Sequence, residues 1–212
     1  MESINSARRE LLKLGGIGLA ASAATLPAFA AGKSSGAPGT PAIFDIRTYG
    51  AMGDGKTVDS PAINKAIEAA AAAGGGMVFF PAGTWLSFSI RLKSNVDIYL
   101  SQGATIIAAA SPLPNEATGY NGGTYDAAES NAPWEAYQDY GHNHWHNSLI
   151  WGENIHDVSI TGPGLIWGKG LSFGARRVAR GDYPIYIAEQ AGVGNKSIAL
   201  KNCRNVLFRD FS

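Results

Sequence analysis

The 212 residues carry 17 basic and 17 acidic side chains, a formal net charge of zero. With no basic stripe interleaved with aromatics, that balance argues against a nucleic-acid-binding surface, although a local patch can still meet a polyanion. The single cysteine, Cys203, excludes an internal disulfide, so stability must come from packing and backbone pairing. It stands in an apolar alternating segment, which predicts a buried thiol rather than a reactive one.

Residues 1–30 have the build of a secretory signal: Arg8-Arg9, then Leu11-Leu12-Lys13, an apolar stretch over residues 14–26, and Ala28-Phe29-Ala30 as a small-x-small cleavage site. The paired arginines predict the twin-arginine type, with cleavage before Ala31 and an exported, periplasmic or extracellular product. No other segment is apolar and long enough to span a bilayer, so no stable membrane insertion is expected. Residues 31–42, rich in Gly, Ser, Ala and Pro, read as a flexible linker. The folded part is expected to occupy residues 43–212.

Its one convincing helix begins with Ser60 as N-cap and Pro61 as first residue. Ile63, Ala66, Ile67 and Ala70 then share one face, and Gly74-Gly75-Gly76 stops it. Short strands and turns follow. Met77-Val78-Phe79-Phe80 ends at Pro81-Ala82-Gly83, and residues 85–92 read as one strand with Leu86, Phe88, Ile90 and Leu92 alternating. Val96, Ile98 and Leu100 alternate before Gly103 and Thr105-Ile106-Ile107. The phrase returns as Val158 and Ile160, Gly162-Pro163-Gly164, Leu165-Ile166-Trp167, and again as Ile198-Ala199-Leu200 and Val206-Leu207-Phe208.

Such short strands with abrupt turns, repeated at roughly twenty residues, describe a solenoid whose coils bury their inward side chains only against neighbouring coils. Asn95, Asn154, Asn202 and Asn205 precede strands and suit left-handed corners. The helix is then placed to cap the first coil. The expected fold is all-β, a parallel β-helix, with an antiparallel sandwich as its rival. The pattern stops inside an alternating strand at Ser212, with no turn or cap. This predicts that the 212 residues are the N-terminal part of a longer protein.

Three passages resemble a known family. Tyr49-Gly50-Ala51-Met52-Gly53-Asp54-Gly55, continuing through Asp59, Ala62-Ile63 and Ala66-Ile67, is similar to the opening of the pectin lyase-like superfamily. Gly75-Gly76-Met77-Val78-Phe79-Phe80-Pro81-Ala82-Gly83-Thr84-Trp85 resembles its first coil. Leu92-Lys93-Ser94-Asn95-Val96 and Gly103-Ala104-Thr105-Ile106, with Ile160-Thr161-Gly162-Pro163-Gly164-Leu165-Ile166-Trp167-Gly168-Lys169-Gly170, look like the polygalacturonase family of glycoside hydrolases, family 28. The resemblance implies a right-handed β-helix and inverting hydrolysis of α-galacturonosyl bonds in galacturonan or rhamnogalacturonan, by a monomer without a cofactor. Inversion needs two carboxyl groups about 6.5–9.5 Å apart. The family's Asn-Thr-Asp, Asp-Asp and Gly-His-Gly motifs do not occur here, so no catalytic residue is assigned and the catalytic coils are expected beyond Ser212. Trp167 replaces a common family Asp, which implies an altered subsite wall. Arg91-Leu92-Lys93 imitates the family's basic motif but lies too early; it reads as a strand with inward Leu92 and solvent-facing charges.

The remaining candidates lie in the excursion of residues 120–151. Long loops on a rigid scaffold build clefts, and aromatic faces suit sugar rings. Trp134, Tyr140, His144, Trp145 and Trp151 are therefore the substrate-binding candidates, against simple packing of the loop on the body. His142, His144 and His146 would share a face if in a strand, yet no acidic residue stands in register with them, so no metal site is assigned. Asp54 and Asp59 read as turn and helix-dipole residues, and Arg176, Arg177 and Arg180 as a solvated run. Two alternatives stay open: a polysaccharide lyase on this fold, and a non-catalytic β-helix for polysaccharide binding or assembly.

Overall fold

In the computed structural model, residues 42–129, 140–173 and 184–212 are described, apart from the side chains of Gly141 and His142. The expected signal and nearly all of the expected linker lie outside these residues. Alternation with period two, cut by glycines and asparagines, produces twelve short strands in three sheets among the described residues. The first sheet stacks β1 (Ile43–Asp45), β3 (Gly76–Phe80), β6 (Val96–Leu100), β9 (His156–Thr161) and β12 (Arg204–Arg209). The second stacks β2 (Asp54–Val58), β4 (Gly83–Ser87), β7 (Ala104–Ala108) and β10 (Leu165–Trp167). The third stacks β5 (Ile90–Arg91), β8 (Ile150–Glu153) and β11 (Ile198–Lys201). Among the described residues every pairing is parallel, which excludes the antiparallel sandwich. The chain visits the sheets in a fixed cycle and climbs one rung per turn, a right-handed parallel β-helix.

Register aligns the inward side chains into columns. Val78, Ile98, Ile160 and Phe208 are successive partners in the first sheet. Trp85, Ile106 and Ile166 stack in the second, and Ile90, Ile150 and Ile198 in the third. Most of these are fully buried, each contributing about 1.5–3 kcal/mol of apolar burial. Cys203 is half-buried against this core, its Sγ within reach of the Gly152 and Lys201 carbonyls. The corners have the expected backbone: Asn95, Asn154, Asn202 and Asn205 all take positive φ, at 64°, 55°, 53° and 51°. Asn202 Nδ2 donates to Asn154 Oδ1 at 3.2 Å, and Asn205 Nδ2 donates to Asp157, whose own φ is 55°.

Two sequence expectations need correction. Residues 85–92 are not one strand, because the chain turns at Phe88-Ser89 between β4 and β5. The Phe88 N–H donates to Ser60 Oγ, and Ser89 Oγ donates to the Ser148 carbonyl at 2.9 Å, so both groups serve the corner rather than a ladder. The helix α1 (Ser60–Ala72) has Asp59, not Ser60, as N-cap. The Asp59 carboxylate accepts from the Met52 and Gly53 N–H groups at 2.7 and 3.1 Å, bracing the preceding Gly-Asp-Gly turn. Burial raises its pKa, opposed by those two hydrogen bonds. The face made by Ile63, Ala66, Ile67 and Ala70 is fully buried, and α1 packs on β1, β3, β5 and the 3-10 turn Ile46–Tyr49, closing the first coil.

The coils differ most at the corner between the second and third sheets. In the first full coil the link from second to third sheet is only Phe88-Ser89, but the next two coils replace it with residues 109–149 and 168–197. Leaving at one corner of adjacent rungs, the two detours pack together. Ser111 Oγ donates to the Gly170 carbonyl at 2.7 Å and accepts from the Gly194 N–H at 3.0 Å. Gln190 Nε2 donates to the Leu113 and Glu116 carbonyls at 2.9 and 2.8 Å.

Candidate functional site

Outward positions on the third sheet line up as Arg91, Trp151 and Ala199 in one row and Glu153 and Lys201 in the next. Trp151 thus belongs to β8, not to the excursion in which it was expected. The first detour bends back over this face. Its Asp126 accepts from Trp151 Nε1 at 2.8 Å and from Arg91 Nε and Nη2 at 2.8 and 2.6 Å. The carboxylate raises the Arg91 pKa further, so the guanidinium stays charged throughout. Arg91 therefore faces outward as expected but is clamped rather than merely solvated, and Leu92 is inward and buried.

Behind Trp151 the imidazole of His146 tilts against the indole at 4.0 Å between ring centroids. Its Nδ1 lies 3.3 Å from Glu129 Oε1 and its Nε2 3.0 Å from Glu153 Oε2. Glu129 also accepts from the Trp145 and His146 N–H groups at 3.0 and 2.8 Å, which fixes the two aromatic residues relative to each other. Lys201 Nζ stands 3.7 Å from the Trp145 ring centroid and 3.5 Å from Glu153 Oε1. The face therefore alternates half-buried rings (Trp145, Trp151) with held charges (Arg91, Lys201, Glu153).

Tyr140 and His144 stack at 3.9 Å between centroids at the edge of the short helix α2 (Tyr140–Asn143). His144 is only 2% exposed, with Nδ1 2.8 Å from the Tyr140 carbonyl, so its ring packs inside the detour while Tyr140 is half-buried. Trp134 lies outside the described residues, as do Arg176, Arg177 and Arg180. His144 and His146 are not in a strand and point to different partners. Among the described residues no three His, Cys, Asp or Glu side chains converge on a cation position. Asp54 accepts from the Lys56 and Thr57 N–H groups, which hold its pKa down, and so braces its own turn.

Sequence reasoning missed Asp126, Glu129, Glu153 and Lys201. A local signal existed for two of them: Glu153-Asn154 and Lys201-Asn202 each place a charge at an outward strand end just before a left-handed Asn. Asp126 and Glu129 carry no such mark, because their partners are distant in sequence.

Comparison with known proteins follows the same lines. Residues 43–145 match the family model described as rhamnogalacturonase A/epimerase, pectate lyase-like. A probable polygalacturonase of Vitis vinifera is 31% identical over 134 residues, covering 58% of this chain and 23% of its own length. Mannuronan C5-epimerase AlgE1 of Azotobacter vinelandii is 56% identical over 45 residues, 21% of this chain and 3% of the epimerase. The chain thus spans under a quarter of either relative. The family 28 exopolygalacturonase of Yersinia enterocolitica superposes with a TM-score of 0.55 at 24% identity, over 81% of this chain and 34% of that one, a likeness of fold. The polygalacturonase resemblance read from the sequence is borne out: the described residues form a right-handed parallel β-helix, and residues 43–145 match a pectate lyase-like family model.

Proposed function

We propose that the protein is an exported enzyme of uronic-acid polysaccharides, hydrolysing α-galacturonosyl bonds in pectic polymers, and that the third-sheet face forms part of its substrate path. The carrying observation is the pairing of aromatic faces with fixed cations, Trp151 beside Arg91 and Trp145 beneath Lys201. A sugar ring presents apolar C–H groups to an indole. A uronate adds a carboxylate that a guanidinium or ammonium meets with a charge-assisted hydrogen bond. The grapevine polygalacturonase supports hydrolysis as the reaction.

No acid or base role is assigned within this chain. Asp126 holds Arg91 and Trp151, and Glu129 and Glu153 bracket His146, so these carboxylates position rings rather than stand ready at a scissile bond. A second reading, uronate C5-epimerisation, is favoured by the AlgE1 identity. Both chemistries use the same class of polymer, and one experiment separates them. The full gene product is incubated with polygalacturonate, rhamnogalacturonan and mannuronan. New reducing ends of inverted configuration from a pectic polymer, seen by proton NMR, support hydrolysis. Deuterium incorporation at C5 without chain shortening replaces hydrolysis with epimerisation. An unsaturated product identifies a lyase, and no change in any polymer removes the enzymatic reading.

A further inference from the structure

A second cleft, separate from the third-sheet face, opens on the outer surface of the second sheet. Its floor is a ladder of outward residues in register, Leu86 on β4, Ile107 on β7 and Trp167 on β10. Tyr120 from the first detour and Tyr186 from the second stand over that floor, enclosing about 740 Å³. Trp167 is 40% exposed although it lies at the base of this hollow, and Lys169 Nζ sits 5.1 Å from its ring centroid.

We infer that this cleft binds an acidic oligosaccharide, with one uronate ring stacked on Trp167 and its carboxylate on Lys169. Three observations carry the assignment. The floor is apolar along the ladder of Leu86, Ile107 and Trp167, which fits the C–H face of a pyranose. The described lining contains one cation and no carboxylate, so the field favours an anion and leaves Lys169 for the ligand. The volume falls in the range of small-ligand sites, room for a short oligosaccharide rather than a single ion. Gly170 keeps Lys169 at the rim, because a Cβ there would lie 2.1 Å from the Ala109 carbonyl oxygen, pinning this turn to the preceding coil. Burial raises the Tyr186 pKa, so its hydroxyl remains a hydrogen-bond donor at neutral pH. The ligand class rests on the uronide reading given above; the location does not, because this face belongs to a different sheet.

The test is calorimetric titration of the whole chain with trigalacturonate and with the neutral galactose trisaccharide. It uses wild type, Lys169→Met, Trp167→Ala and the third-sheet variant Trp151→Ala. Lys169 and Trp167 are exposed, so their variants keep the fold, checked by circular dichroism. In the Trp151→Ala background, Lys169→Met is expected to weaken trigalacturonate about tenfold and leave the neutral sugar unchanged, and Trp167→Ala to weaken both. Trigalacturonate binding that survives both substitutions but disappears with Trp151→Ala overturns this inference and leaves the functional reading standing. Equal affinity for the acidic and neutral sugars overturns the uronate assignment of this cleft. Absence of uronide binding by the wild type overturns the inference too, while the polymer assay decides the function by itself.

Discussion

Asp126 joins two rungs of the third sheet, accepting from Arg91 on β5 and from Trp151 on β8. The Arg91 side chain is 48% exposed, so its share of the interaction is small, about 0–1 kcal/mol. The indole N–H is the more costly group to strand. Asp126→Ala is expected to lower unfolding free energy in urea by about 1–3 kcal/mol and to free the Trp151 ring. A loss equal to that of Arg91→Ala would show that the indole bond contributes nothing. Asp157 makes a second residue-scale case. Its carboxylate accepts from Asn205 and lies 2.7 Å from His156 Nδ1, and these contacts, Asn205 first, hold its pKa below the ordinary value. A depressed folded pKa adds stability that is complete above the unfolded value of about 3.9 and is lost as pH falls through the folded value. Asp157→Asn keeps a side chain that tolerates positive φ and removes the titration. The variant's Tm should therefore fall less steeply than wild type below about pH 4; parallel curves would refute the assignment.

Among the elements, α1 bears on the first coil of the described residues, packing on β1, β3 and β5. Ile63 and Ile67 are fully buried there, so Ile67→Ala should cost about 2–5 kcal/mol in chemical denaturation. A cost under 1 kcal/mol would mean the helix merely lies on the coil. The helix was legible because Pro61, the Ile63–Ala66–Ile67–Ala70 spacing and the glycine run are local signals. The left-handed corners were legible for the same reason, since only a few residue types take that backbone cheaply at Asn95 or Asn154. β8 was not, because Trp151 and Gly152 break the apolar alternation and the strand exists only through pairing with β5 and β11. The break between β4 and β5 was hidden too: Leu86 faces outward yet is buried like Phe88 and Ile90 beyond the corner, so the three look like one alternating strand. The candidate face was legible in its rings, Trp145 and Trp151, and illegible in Asp126 and Glu129, which hold them and reach the face by tertiary folding alone. His144 shows the opposite error, an aromatic whose composition suggested a sugar contact and whose 2% exposure comes from stacking beneath Tyr140.

On the scale of the whole molecule, the solenoid tolerates very unequal coils only because the detours leave at one corner. Val78 pairs with Ile98 after a coil of roughly twenty residues, yet Ile98 pairs with Ile160 and Ile160 with Phe208 in the same column despite the long detours between them. Length added at the second-to-third-sheet corner therefore stays outside the column, whereas length added between the first and second sheets displaces a strand. One glycine inserted between Ala117 and Thr118, in an exposed part of the first detour, should cost well under 1 kcal/mol, since loop entropy grows slowly with length. The same glycine inserted after Gln102, in the turn where the Ala104 N–H donates to the Ser101 carbonyl at 2.9 Å, pushes β7 by one residue. A one-residue slip turns Ile106 outward from between Trp85 and Ile166 and directs Ile107 inward. The loss of Ile106 burial with the cavity left beside Trp85 should cost about 2–5 kcal/mol. Thermal unfolding of the two insertion variants measures the difference, and equal Tm values would mean that register in this sheet is not held by the inward column.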